Sequence, residues 1–160
     1  MSDARIFQEL KADHDRHRDL LERLGAAKGA SDDRPALFEE LRQELQAHAA
    51  AEEESLYSVM LANPELRDEA RHSVSEHKEI DDFLGELVEL DAGSNAWTDK
   101  FKELRHRYLH HIDEEEEEMF PEADKALSAG CEEQIARTFE QRKPEELEAA
   151  VERQPGDERQ

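Results

Sequence analysis

The chain has 160 residues, 43 of them acidic and 21 basic, for a formal net charge of −22, and that length fits one domain with a short tail. The charge argues against nucleic-acid binding, which depends on Lys/Arg clusters, and against docking on anionic membrane surfaces. Leu, Ile, Val and Phe together make up just under a fifth of the chain, a share found in disordered chains at this charge unless something besides an apolar core holds the fold.

Periodicity argues for order. Apolar residues recur at steps of three and four, the mark of one helix face. The first stripe is Phe7, Leu10, His14, His17, Leu21 and Leu24. Gly25 and Gly29 break it, and Ser31 to Pro35 reads as a turn and a new helix start. The second stripe is Phe38, Leu41, Leu45, His48, Glu52, Leu56 and Val59, ended by Asn63-Pro64. The third runs from Leu66 through Ala70, Ser73, His77, Ile80 and Leu84 to Leu87 and closes near Ala92-Gly93-Ser94. The fourth is Trp97, Phe101, Leu104, Tyr108, His111, Glu115 and Met119. No useful two-residue alternation appears, so no sheet is expected. The expected fold is all-α, an antiparallel up-down-up-down four-helix bundle over residues 1–128. A C-terminal helical extension over 129–160 follows it. There a short helix is expected from Cys131 to Arg142, a break at Pro144, a second short helix to about Val151 and a disordered end.

The stripes carry polar residues where Leu or Ile belongs. His14, His48, His77 and His111 sit on them, with Glu52 and Glu115 one turn after a histidine. A buried carboxylate without a partner is costly, so such groups are paired or bind metal. Residues i and i+4 share a helix face, so His48/Glu52 and His111/Glu115 can each offer a nitrogen and an oxygen to one point. The spacing doubles the argument: His14 to His77, His48 to His111 and Glu52 to Glu115 are each 63 residues apart. D-H-D-R-H-R-D-L-L from Asp13 is echoed by E-H-K-E-I-D-D-F-L from Glu76. H-A-A-A-E-E-E-S-L-Y-S from His48 is echoed by H-I-D-E-E-E-E-E-M-F-P from His111. Two similar hairpins packed about a pseudo-twofold axis would gather four imidazoles and two carboxylates, a suitable set for two metal ions with the carboxylates bridging. Mixed imidazole and carboxylate ligation suits iron or manganese, and zinc less well.

These motifs, "DH", H-x-x-x-E-E-x-x-L-Y, "EH" and H-x-x-x-E-E-x-x-M-F-P on successive helices, resemble the haemerythrin-like (HHE) cation-binding domain over about residues 4–128. The resemblance implies a four-helix bundle around a non-haem di-iron centre. It implies His14, His48, Glu52, His77, His111 and Glu115 as ligands, with Glu52 and Glu115 bridging two iron ions. The chain departs from the oxygen-carrying members. They have a further histidine one turn before the third-helix ligand, where this chain has Ser73. Their last carboxylate is an Asp one residue beyond Glu115. Such exchanges change the charge at the metal and hence its redox poise. His17 shares a face with His14 and offers a replacement ligand; its counterpart is Ile80, so the two metal positions need not be equivalent.

Other features read as surface or packing. Of the run Glu114–Glu118 only Glu115 falls on the stripe. Glu53, Glu54 and Glu116 are expected to be mainly solvated, although Glu53 and Glu116 lie near enough to the site edge to support the ligands or to coordinate occasionally. The pairs Glu69/His72 and Glu103/His106 have the E-x-x-H spacing of ferritin-like di-iron proteins but lie beside the stripes, as does His110. Tyr57 and Phe120 are equivalent and are expected to cap the core, with a role for Tyr57 as ligand or redox partner as the second reading. There is no H-E-x-x-H and no Gly-rich phosphate loop. No run approaches the about 20 apolar residues of a membrane span, the N-terminus lacks an apolar signal core, and Cys131 has no partner for a disulfide. A cytoplasmic protein is expected. No exposed apolar stripe is evident, so it is expected as a monomer or weak homodimer, with no protein partner assigned. The leading reading is a module that binds or senses oxygen, nitric oxide, peroxide or iron. The alternatives are a di-iron enzyme that decomposes peroxide or activates oxygen, and an acidic interaction module with a vestigial site.

Overall fold

The computed structural model describes residues 4–27 and 33–152. They form an all-helical bundle, with no strand among the described residues. Helix α1 spans Arg5–Ala26. Helix α2 comprises Asp33–Glu52, a π-helical turn Glu53–Tyr57 and Ser58–Ala62. Helix α3 spans Arg67–Glu89. Helix α4 comprises Asn95–Glu114, a second π-helical turn Glu115–Met119 and Phe120–Ala126. Helix α5 spans Ala129–Glu152. Chemistry at the ends matches the sequence signals. Asn63 closes α2 in an extended conformation ahead of Pro64. The Ser94 hydroxyl caps α4 by accepting from the Trp97 amide at 3.1 Å. Gly25 lies inside the last turn of α1, which ends at Ala26; Gly29 and Ser31 fall outside the described residues.

Helix α1 packs on α2, α2 on α3, α3 on α4 and α4 back on α1. The buried apolar side chains divide into two clusters. One gathers Phe7, Leu10, Leu56, Tyr57, Met60 and Phe120. The other gathers Leu21, Leu41, Leu84, Trp97, Phe101 and Leu104. The buried polar residues of the four stripes lie where these two clusters meet along each helix. The modest apolar content is therefore almost wholly interior: among the described large apolar residues only Val88 and Val151 are exposed.

The C-terminal segment differs from expectation. Helix α5 runs unbroken through Pro144, and it is not a loose extension. Ile135, Ala136 and Phe139 join the first apolar cluster, and Cys131 packs against it. Arg142 pairs with Glu54, Arg42 donates to the Ala150 carbonyl at 2.9 Å, and Arg5 reaches Glu133 and Glu140 at 2.6 Å each. Proline removes one helical hydrogen bond and crowds the preceding turn; packing along α1 and α2 outweighs that local penalty. The expected disordered end falls outside the described residues.

Candidate metal centre

The six residues singled out by spacing come together. Glu52 closes the α-helical part of α2 and Glu115 opens the π-helical turn of α4, so both sit at a junction between the two helix types. Such turns insert one residue and re-aim a side chain, and they concentrate at functional sites. His14, Glu52, His48, His111 and Glu115 are at most 2% exposed, and His77 is 8% exposed. One group of potential donor atoms is His14, His48, Glu52 and Glu115, and a second is Glu52, His77 and His111. Glu52 is common to both. Glu115 Oε1 lies 3.4 Å from His14 Nε2 and 3.2 Å from His111 Nε2, so it too spans the two groups. His77 Nε2 and His48 Nε2 lie 3.2 Å and 3.5 Å from Glu52 Oε1.

These approaches are within ion-pair range, yet His14, His48 and His111 Nε2, both Glu52 oxygens and Glu115 Oε1 form no hydrogen bond. Buried polar atoms are normally satisfied. Here several unsatisfied atoms converge, which is what a cation-binding donor set requires and a hydrogen-bonded core does not.

The opposite ring nitrogens are all engaged. His14 Nδ1–H donates to Glu116 at 2.7 Å, His48 to Asp13 at 2.8 Å, His77 to Glu53 at 2.7 Å and His111 to Glu76 at 2.8 Å. A carboxylate only accepts, so each of these contacts puts a proton on Nδ1 and aims Nε2 inward. Asp13 and Glu76 are 63 residues apart, as are Glu53 and Glu116, so the repeat extends to the supporting carboxylates. Glu53 and Glu116 are therefore not simply solvated, and Glu54 is bound to Arg142 on α5. The "D" and "E" of the "DH" and "EH" motifs were visible in sequence, but not their task, because each serves a histidine on a neighbouring helix.

Without a cation, protons take up the electrostatic load. Burial opposes charge on His48, but Glu52 and Asp13 outweigh it and raise its pKa to about 9. For His77 burial is outweighed by Glu52 and Glu53, again to about 9. For His111 it is outweighed by Glu115 and Glu76, to about 10, and His14 is raised in the same way by Glu115 and Glu116. Burial alone would raise Glu115, but His111 and His14 hold it well below the usual carboxylate range.

The symmetry is incomplete. His17 is fully buried, its Nδ1 shares a 2.7 Å hydrogen bond with the Tyr108 hydroxyl, and burial lowers its pKa to about 3. It is grouped with Asp13 and His48, and its Nε2 makes no hydrogen bond. In the other half Ile80 and Leu45 stand in place of His17 and Tyr108. Tyr57 does more than cap the core: its hydroxyl donates to Glu115 Oε2 at 2.5 Å, and its ring stacks on His77 with centroids 5.2 Å apart. Phe120 stacks on His14 in the equivalent place, 6.0 Å away, with no hydroxyl to offer. Lys143 of α5 donates to Asp13 at 2.8 Å and Phe139 meets the His48 ring edge-on at 6.0 Å; sequence reasoning missed both, since nothing in the repeat points to α5. Glu103, His106 and His110 lie outside this cluster on the exposed surface.

The family model described as the Hemerythrin HHE cation binding domain matches residues 5–123. Among solved structures, a hemerythrin HHE cation-binding domain-containing protein from Mycobacterium kansasii is similar, at 26% identity and a TM-score of 0.73, covering 94% of this chain and 98% of that one. No curated protein matches the sequence. No described helix is long and apolar enough to cross a membrane. With the family model spanning most of the chain and the buried His/Glu cluster lying inside the match, this chain belongs to the haemerythrin HHE cation-binding domain family.

Proposed function

We propose that α1–α4 run up-down-up-down and hold a non-haem di-iron centre that binds or senses a small ligand such as oxygen, nitric oxide or peroxide. His14, His48, His77 and His111 would supply the imidazoles, and Glu52 and Glu115 the bridging carboxylates. The observation that carries this reading is the convergence of buried Nε2 and carboxylate atoms that make no hydrogen bond, each imidazole being oriented by a carboxylate on its far side. Bound iron would supply ligand binding and electron transfer; manganese or zinc are the competing occupants. The protein's part is to fix the donors, exclude bulk water and hold protons at stated atoms. Tyr57 keeps its proton, because burial and the Glu115 and Glu52 carboxylates raise its pKa well above 10. It therefore serves as a fixed donor to Glu115 Oε2.

Elemental analysis of freshly purified protein, with an optical spectrum in air, tests the reading. About two irons per chain with near-ultraviolet oxo-bridge absorption is the expected result. No metal after anaerobic loading would sink it. One observation favours an enzymatic variant of the same centre: a cavity of about 230 Å³ reaches His111 and Glu115, room enough for peroxide. Many turnovers of peroxide per iron pair would support catalysis, whereas stoichiometric oxidation would favour binding or sensing.

A further inference from the structure

The two halves of the 63-residue repeat differ at the faces that flank the centre. In the second half a cavity of about 230 Å³ is lined by Glu69, His72, Ser73, Glu76, Glu114 and Glu118, and its floor includes His111 and Glu115. The corresponding positions in the first half include Ile6, Leu10 and Ala51, all fully buried in the apolar cluster that α5 completes with Ile135 and Phe139. One face is therefore sealed by aliphatic side chains and a fifth helix. The other is open and lined with carboxylates.

His72, Glu76 and Glu114 can offer donor atoms to a common point in that cavity. His72 Nε2 lies 3.4 Å from Glu76 Oε2 and 3.3 Å from Glu114 Oε1. Glu76 is shared with the centre, because its other oxygen accepts from His111 Nδ1 at 2.8 Å. The floor of the cavity belongs to the inner cluster. His111 Nε2 and Glu115 Oε1, on residues 1% and 2% exposed, make no hydrogen bond. Glu69 Oε2, on the wall, is also without one. Like charges crowd here: burial together with Glu122, Glu118 and Glu114 raises the Glu69 carboxyl above its ordinary range. A divalent cation relieves that crowding, and a funnel of one sign concentrates such a cation at its narrow end.

We infer that His72, Glu76 and Glu114 form a third, weaker divalent-cation site, through which metal passes from solvent to the inner His/Glu cluster. Three donors with open positions suit transit: they capture a hydrated ion without the closed coordination that would retain it. The inference rests on the inner cluster binding metal, as proposed above. His72 is 58% and Glu114 32% exposed at the side chain, so both can be changed without opening the core.

The test uses the full-length metal-free protein and Co²⁺, whose visible bands report uptake by stopped flow. Mn²⁺ paramagnetic resonance on the cobalt-loaded protein then counts further weak sites. A control variant, E103Q/H106A, removes a similar exposed pair away from the cavity. In H72A/E114Q, Co²⁺ uptake is expected to slow by about tenfold or more at low salt. Its final Co²⁺ content and spectrum should match wild type, and one weak Mn²⁺ site should be lost. The control should behave as wild type. An unchanged rate in H72A/E114Q, or equal slowing in the control, overturns the transit site while leaving the proposed centre intact. A fall in final Co²⁺ content also overturns it, since His72 and Glu114 would then belong to the centre itself. No Co²⁺ uptake by wild type would instead remove the centre and this site together.

Discussion

Each inward-pointing imidazole is held from behind by a carboxylate, and the consequences are sharpest at single residues. Removing such a support leaves the ligand in place but frees its tautomer and orientation, a change that typically costs about 10–100-fold in metal affinity. Glu53→Gln and Glu116→Gln are expected to weaken metal binding by about that factor, read by competition with a calibrated chelator; unchanged affinity in both would argue that the Nδ1 contacts are incidental. Tyr57→Phe tests a different bond. It leaves Glu115 Oε2 buried without its donor, which should cost the metal-free protein about 1–3 kcal/mol in chemical denaturation. The six inward residues were legible because a polar side chain on an apolar stripe contradicts its surroundings, and a second copy 63 residues on repeats the contradiction. Asp13, Glu76 and Tyr57 stood in the motifs, but the partner each one serves was not legible, because each acts across a helix interface and no local pattern encodes that.

Among the elements, α5 departs furthest from expectation. Read locally, Pro144 should end a helix. In the fold, Ile135, Ala136 and Phe139 are buried on one side of the proline, while beyond it Ala150 gives its carbonyl to Arg42, so both flanks are anchored. The helix also reaches the centre through Lys143, which with His48 keeps the Asp13 carboxyl well below its usual range. Lys143→Ala removes one partner of a buried charge pair and is expected to destabilise the protein by about 3 kcal/mol. Equilibrium unfolding measures this, and an effect below about 0.5 kcal/mol, as for ordinary surface changes, would mean that the contact is not formed in solution. Periodicity did reveal α1–α4, and with them the apolar faces. The π-helical turns at Glu53–Tyr57 and Glu115–Met119 were not visible, because one inserted residue barely disturbs a stripe.

At the scale of the whole molecule, a polar layer splits a thin core, and metal and protons compete to stabilise that layer. The metal-free protein gains from the raised pKa values of His48, His77 and His111. Their contribution is complete below the unfolded imidazole value of about 6.5 and is lost as pH rises through about 9 to 10. His17 opposes this in acid: its pKa is lowered to about 3, so protonation of the unfolded chain below about 6.5 favours unfolding. The lowered Asp13 and Glu115 carboxyls act in the same direction at lower pH still. The metal-free Tm should therefore peak near pH 6 and fall toward pH 10. The metal-loaded protein should show the reverse trend on the alkaline side, because protons displace metal from imidazole and carboxylate. Loading should also raise Tm at neutral pH, by an amount that grows with free metal concentration. Parallel melting curves at pH 6 and 9, with and without metal, check both; identical profiles would count against metal in the polar layer.

The sequence by itself determined an all-helical chain, where its first four helical segments lie and which six residues would meet inside. Those are properties of periodicity and of an internal repeat, and both survive in one dimension. It also carried enough of the domain's motifs to indicate the family. Only the tertiary structure decided that α5 belongs to the core, which carboxylate serves which imidazole, that Tyr57 donates to Glu115, and that one pseudo-symmetric face is sealed while the other opens into an acidic cavity. Those outcomes depend on contacts between residues as far apart as Asp13 and Lys143. Long-range packing sets them, and it outweighs local preference wherever the two disagree.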